Sequence, residues 1–153
     1  MSNASEKTGA ENRPAVDVSL LIVRVIVGVI FVAHGAQKLF GAFDGPGLAG
    51  VVAMMGPIGY LVTVGEFFGG LGLIVGFLCR FSAASLIVIM IGAVVMVHGA
   101  HGFFLSNHGF EYNLALIGLL LPILIAGPGR FAVGRAWLFP PGGRAGVWRE
   151  FLQ

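Results

Sequence analysis

The stretch HGAQKLF, residues 34–40, ends an apolar run with a histidine, a glutamine and a lysine, and a second apolar run contains Glu66. An ionisable group within hydrocarbon costs about 2.5–3.5 kcal/mol on insertion scales, so such groups usually face the interior of a helix bundle and pair there. We therefore predict that Glu66 pairs with His34 or Lys38, with Arg24 as the second choice. The alternative is a buried ion pair that sets helix packing and has no further role.

An acid and a base in apolar surroundings suit the polar head group of a lipid-soluble molecule such as a quinone. Such a pocket needs hydrogen-bond donors, a titrating histidine or carboxylate, and an apolar channel for the tail. We predict that Glu66, His34 and Lys38 hold and protonate the head group and are the catalytic residues. The further candidates for ligand binding are polar residues of the predicted helices: Gln37, Glu111, Tyr112, Asn113 and Arg24.

The remaining histidines suggest two other kinds of site. His98, His101 and His108, together with Glu111, are ligand types that suit zinc, copper or iron. One histidine from the first helix and one from the third could instead hold haem as axial ligands. We rank both below the quinone pocket, because HxxH spacing alone has little specificity, and we predict no intrinsic metal or haem. The single cysteine, Cys79, excludes an internal disulfide and a CxxC redox pair.

The elements that position these residues must lie in lipid. The chain has 153 residues, of which 57% are hydrophobic and 10% are charged, and its mean hydropathy is +0.94. A soluble domain carries roughly a quarter charged residues, so this chain cannot cover itself in water. One domain is expected at this length. The net charge of +2 comes mostly from arginines outside the apolar runs, which indicates membrane topology rather than nucleic-acid binding.

Four apolar segments account for most of the chain: 18–40, 58–78, 81–100 and 111–126. A helix needs about 20 residues to cross a hydrocarbon core of roughly 30 Å. The fourth segment is shorter and contains Pro122, so we expect it to kink or to borrow residues from the preceding loop. We predict an all-α fold, an up-down four-helix transmembrane bundle formed by residues 18–128.

The distribution of basic residues predicts the orientation of this bundle. Lysines or arginines lie before the first span, between the second and third spans, and after the fourth, whereas the loops 41–57 and 99–110 contain none. The positive-inside rule then places both termini in the cytoplasm. Residues 1–17 lack the features of a secretory signal, and we predict a disordered cytoplasmic tail there.

Three smaller features complete the predicted architecture. Gly65, Gly69, Gly72 and Gly76 form a stripe on the second helix that would allow close contact between helices. The stretch LAGVVAMM could be a short surface helix that covers the polar cluster. Residues 129–153 interleave arginines with aromatic residues, which predicts a cytoplasmic tail that anchors at the membrane interface or docks a soluble redox enzyme.

Several motifs together resemble the DoxX family of small bacterial membrane proteins. They are RVIVGVIFVAHGAQKLFGAFDGPGLAG, VGEFFGGLGLIVGFLCRFSA, and GFEYNLALI followed by GPGR, within residues 24–130. The matched positions are His34, Gln37, Lys38, Gly41, Gly45, Gly47, Glu66, Glu111, Tyr112 and Arg130. The resemblance implies four transmembrane helices, and it implies kinship with the membrane-subunit type of thiosulfate:quinone oxidoreductase and with members that associate with redox or sulfur-stress complexes.

We therefore predict a multi-pass protein of the bacterial cytoplasmic (inner) membrane that serves as a non-autonomous membrane subunit of a quinone-linked oxidoreductase. The first alternative is a non-enzymatic scaffold or assembly factor that recruits soluble redox enzymes. The second is a pathway for a small solute or for protons. The predicted partners are the lipid bilayer and a soluble redox enzyme, and a homo-oligomer is compatible with the sequence.

Overall fold

The computed structural model describes the backbone of residues 3–134 and the side chains of residues 13–134. Five α-helices follow one another: α1 (Asn3–Phe40), α2 (Gly47–Met55), α3 (Ile58–Val75), α4 (Cys79–Ala93) and α5 (Glu111–Ala126). No strand occurs within residues 3–134, so the predicted all-α class is confirmed.

Three of the described helical segments are long and apolar enough to cross a membrane: Arg13–Phe40, Ile58–Val75 and Cys79–His101. Helix α5 has 16 residues, about 24 Å at the rise of an α-helix, and contains Pro122. It packs against α4 and α1 and contributes Leu116, Leu120 and Ile123 to the common core. The crossing by a fourth helix and the cytoplasmic location of the termini remain predictions.

Helix α1 begins earlier than the sequence pattern predicts. It runs without interruption from Asn3, so residues 3–17 are helical although they are polar, and the helix passes through Pro14. Residues 3–13 include alanine, glutamate, lysine and arginine, which favour the helical state. Extending an existing helix also costs less than nucleating one, so the apolar span can propagate its helix into this segment.

Glycines bring α1 and α3 together as antiparallel neighbours. A Cβ atom at Gly35 would lie 2.5 Å from the backbone nitrogen of Phe67, and one at Gly70 would lie 2.8 Å from the carbonyl oxygen of Gly28. The two backbones therefore touch, which is how helices gain close packing in lipid. This contact uses the face of α3 that carries Gly70. In the predicted stripe, Gly65, Gly69 and Gly72 face α4, whereas Gly76 lies against Ala132 and Arg24.

A tight reversal follows α1 and places α2 across the start of α3. Gly41 ends α1 with φ 72° and Gly47 begins α2 with φ 64°, conformations that favour glycine. Val51 of α2 is buried against Gly59 of α3. The predicted short helix at LAGVVAMM is thus present. We call the end of the bundle where α1 finishes and α3 begins the Lys38 end, and the opposite end the Arg24 end.

Helix α4 changes geometry as it approaches the Lys38 end. A π-helical turn, Val94–His98, follows it, and then a 3₁₀ turn, Gly99–His101. The loop that leads to α5 folds back on itself, because the N–H of Phe110 donates to the carbonyl of Gly102 and the N–H of Glu111 donates to the carbonyl of Phe103. These two bonds close the loop at the start of α5.

Candidate functional site

Lys38 and Glu66 form an ion pair at the interface of α1 and α3. The Lys38 Nζ donates to both carboxylate oxygens of Glu66, at 2.5 Å each. The Glu66 side chain is 3% exposed and the Lys38 side chain is 28% exposed. The predicted pairing of Glu66 with Lys38 is therefore present, and its catalytic role remains a prediction.

The glycine contact between α1 and α3 positions this pair. Because the helices run antiparallel with Gly35 against Phe67, the last turn of α1 comes level with Glu66. Glu66 lies eight residues into α3, about 12 Å along its axis. A carboxylate at that depth requires a partner in apolar surroundings. The long lysine stem allows α1 to supply that partner from its last turn.

A large apolar groove runs between α3 and α4, and both members of the pair lie in its wall. Its volume is about 1450 Å³. Met54, Met55 and His98 line it at the Lys38 end, and Phe77 and Phe81 line it at the Arg24 end. The groove therefore extends along the whole of α3, about 27 Å for 18 residues. Its shape suits a long apolar chain that carries a polar group partway along the groove.

Few polar groups besides the ion pair line this groove. Ser82 and Ser85 contribute hydroxyls from α4, and His98 contributes an imidazole near the opening at the Lys38 end. The His98 Nδ1 lies 2.7 Å from the carbonyl oxygen of His108, which fixes the ring against the loop. Neither Ser82 and Ser85 nor the groove itself is evident from the sequence, because a groove between two helices depends on how they pack.

His34 and Gln37 do not join the pair. His34 is exposed, and its ring lies 6.2 Å from the ring of Tyr112, between centroids, with the planes tilted by 57°. Gln37 is half-buried, and a Cβ atom on Gly45 would lie 2.5 Å from its carbonyl oxygen. These positions bring His34 and Tyr112 together on the α5 side of α1, apart from the groove.

Glu111 and the remaining histidines organise the loop at the Lys38 end. The N–H of Leu105 donates to Glu111 Oε1 at 2.6 Å, and the rings of His101 and His108 lie 6.4 Å apart between centroids. Among the side chains of residues 13–134, no group of three or more histidine, cysteine, aspartate or glutamate residues is arranged to hold a metal ion. The metal site considered for these residues is therefore not formed there.

Asn113 and Arg24 occupy other parts of the interior. Asn113 is buried, and its Nδ2 lies 3.5 Å from the sulfur of Met90 on α4. Arg24 is 1% exposed and donates to the carbonyl oxygens of Pro128 at 3.1 Å and Phe131 at 2.8 Å. It lies fourteen residues before Lys38 on α1, about 21 Å away along the helix. The structure therefore does not bring Arg24 to the ion pair.

Thr63 is a buried polar residue that the sequence analysis missed. It lies one turn before Glu66 on α3 and is fully buried, and its hydroxyl has no hydrogen-bond partner among the described residues. Threonine is common in apolar helices, so its identity alone carries no signal. Thr63 lies on the same face of α3 as Glu66 from helix geometry alone, but its complete burial becomes visible only when the helices are packed.

The predicted tail at residues 129–153 falls largely outside the described residues, which end at residue 134. Its first part is held to α1, since the N–H of Arg130 donates to Asp17 Oδ1 at 2.9 Å. Docking of a soluble enzyme at the rest of this tail remains a prediction.

Comparison with known proteins agrees with a location in the membrane. The DoxX family model matches residues 19–99, more than half of the chain. The chain is 29% identical over 122 residues to the inner membrane protein YqjF of Escherichia coli, which covers 78% of this chain and 92% of the relative. It is 27% identical over 134 residues to an "uncharacterized membrane protein" of Mycobacterium tuberculosis, covering 76% of this chain and 80% of the relative.

A third relative has a name that refers to chemistry. The chain is 28% identical over 113 residues to a Bacillus subtilis protein named "Putative oxidoreductase CatD", covering 70% of this chain and 79% of the relative. No solved structure matches the chain. Three apolar helices and these relatives confirm the prediction of a multi-pass inner-membrane protein.

Proposed function

Because the chain belongs to the DoxX family of membrane proteins, we propose that it is the membrane subunit of a redox system and binds a quinone or a similar apolar redox molecule. The head group would lie at the Lys38–Glu66 pair and the tail would lie in the groove between α3 and α4. With both termini in the cytoplasm and α5 as a fourth crossing helix, this pair lies in the outer half of the membrane.

The single observation that carries the proposal is a buried ion pair that opens into an apolar groove. An ion pair that only fixed helix packing would need no access from lipid, yet Lys38 is 28% exposed and lines the groove beside Glu66. A ligand site of this kind combines apolar walls with a small number of convergent polar groups. Gly92 on the α4 wall leaves room in the groove, since a Cβ atom there would meet open space.

The residues of the chain would bind and orient the head group and supply a proton at it. The Lys38 ammonium can donate a hydrogen bond to a carbonyl oxygen, and Glu66 holds the ammonium in place through two bonds. Electrons would come from a cofactor-bearing protein partner, because the chain has one cysteine and no dinucleotide-binding fingerprint. The name of the Bacillus subtilis relative is consistent with such an oxidoreductase.

Binding of a quinone to the purified full chain in nanodiscs tests this proposal. We expect wild type to bind decylubiquinone and Lys38→Met to bind it at least roughly tenfold more weakly, because a charge-assisted hydrogen bond is lost. A second variant, Gly92→Leu, fills the groove at a position where an added side chain would meet open space. It should weaken binding without perturbing the helix contacts.

Gly118→Leu is the matched control, because Gly118 also faces open space but lies on α5, away from the groove. It should bind decylubiquinone as wild type does. Equal binding by wild type, Lys38→Met and Gly92→Leu would contradict the proposal. The scaffold alternative would gain support if Lys38→Met lowered thermal stability while wild type bound no quinone, since the ion pair would then serve only helix packing.

A further inference from the structure

The hydrogen-bonding capacity of the Lys38–Glu66 pair is unevenly distributed between its two members. A lysine ammonium has three N–H donors and no acceptor. Two of these donors are directed to the carboxylate oxygens of Glu66. Among the residues that the structure describes, one donor is therefore left, on a side chain that is 28% exposed and lines the groove.

Glu66 has almost no hydrogen-bond acceptor that a ligand in the groove can reach. Its side chain is 3% exposed, and each of its oxygens already accepts a bond from Lys38. Each oxygen keeps a further lone pair, but at 3% exposure a ligand in the groove could reach it only by moving Lys38 away from the carboxylate. Doing so would leave a charge uncompensated in apolar surroundings, which is strongly unfavourable. The pair therefore presents a donor to the groove and withholds its acceptors.

The other polar groups of the groove do not reverse this asymmetry. The hydroxyls of Ser82 and Ser85 each act as donor or acceptor, so they serve either kind of ligand equally. His98 lies at the opening of the groove, where it is bound to the loop through Nδ1. It is separated from Glu66 along the groove, because α4 runs antiparallel to α3 and Ile89, nine residues earlier, already lies against Gly65.

From this asymmetry we infer that the site selects the redox form of its ligand, binding the oxidised, carbonyl-bearing form in preference to the reduced, hydroxyl-bearing form. This inference rests on the proposed function. A quinone carbonyl only accepts hydrogen bonds, so the free Lys38 donor satisfies it. A quinol hydroxyl also donates, and the acceptors of Glu66 are buried beneath Lys38 at this point of the groove, so an unmatched quinol proton costs binding free energy. Such a site captures the oxidised form from the bilayer and releases the reduced form.

The test compares two forms of one probe, decylubiquinone and decylubiquinol, for binding to the full chain in nanodiscs under anaerobic conditions. We expect wild type to bind the quinone roughly tenfold tighter than the quinol, the factor typical of one unmatched polar group. Equal affinities, or tighter binding of the quinol, would overturn this inference and leave the proposed function standing. If neither form bound, both the proposed function and this inference would be overturned.

Two variants of Lys38 sharpen the result. Lys38→Arg keeps only donors at this position, so it should retain the preference for the quinone. Lys38→Gln supplies an amide oxygen and frees acceptor sites on Glu66, so the preference should shrink or reverse. A preference for quinone in Lys38→Gln as large as that of wild type would contradict the inference. The wild-type ratio decides the matter by itself if either variant does not fold.

Discussion

Helix α1 carries two cations into the protein interior, and the two are satisfied in different ways. Arg24 donates to the carbonyl oxygens of Pro128 and Phe131, which belong to the main chain. Lys38 donates to a side-chain carboxylate, that of Glu66, and it also lines the groove. Arg24 thus fastens the segment after α5 to α1, whereas Lys38 sits where a ligand can reach it.

This difference shows which of two buried charges is available for chemistry. Arg24 is 1% exposed, and its partners are carbonyls that cannot titrate or move independently of the backbone. Lys38 and Glu66 form a pair of titratable groups, and one of the two is accessible from an apolar groove. Burial alone would make Arg24 the stronger candidate for a functional residue. The titratable partner of Lys38 and its access from the groove favour the Lys38–Glu66 pair instead.

The largest effect is expected from Arg24→Leu. The substitution leaves the carbonyls of Pro128 and Phe131 without their donor in the interior, and each unsatisfied group costs about 1–3 kcal/mol. We expect a loss of about 3 kcal/mol or more, measured as a large fall in the thermal unfolding midpoint of the purified chain. The protein that remains folded should still bind quinone. Loss of quinone binding at unchanged stability would break the comparison, since Arg24 would then act at the site.

Substitutions at the ion pair are expected to destabilise the chain no more than Arg24→Leu does, and a second substitution should reverse their effect. Glu66→Leu or Lys38→Leu alone leaves one charge without its partner, and Glu66 in particular is almost fully buried. We expect each to destabilise the chain, Lys38→Leu by about 3 kcal/mol, because breaking a buried pair leaves a bare charge. The double variant removes both charges, so most of the lost stability should return while quinone binding stays at least roughly tenfold weaker than in wild type.

The thermal midpoints of the two single variants and the double variant form a cycle that isolates the interaction. No comparable double variant exists for Arg24, because its acceptors are main-chain carbonyls. If the double variant were as unstable as the less stable single variant, the pair would have a structural role only, as Arg24 has. The contrast between the two ends of α1 would then disappear.

The helices could be predicted from the sequence because lipid imposes length and apolar composition on them. The spans starting at Ile58 and near Arg80 agree with α3 and α4, and the glutamate in α3 was expected to find a cation from α1. The start of α1 was predicted too late, since polarity near the N-terminus does not prevent a helix from extending out of an apolar span.

The site could be predicted only in part. The partner of Glu66 was left open between His34 and Lys38, and the choice depends on the Gly35–Phe67 contact that sets the register of α1 against α3. His34 points instead toward Tyr112. The groove could not be predicted because it arises from the packing of α3 against α4, and the location of Glu111 depends on how the loop before α5 folds.

Substitution of Glu111 is expected to have the smallest effect on stability and quinone binding. It tests whether the binding site extends beyond the groove. Its carboxylate accepts a hydrogen bond from the N–H of Leu105 in an exposed loop, so it resembles Arg24 in bonding to the main chain. We expect Glu111→Ala to lower stability by about 1 kcal/mol or less, because water can replace the lost acceptor at an exposed position. Quinone affinity should stay within about twofold, since Glu111 does not line the groove. A large loss of quinone affinity at unchanged stability would instead show that Glu111 belongs to the binding site. The site would then extend from the groove onto the loop.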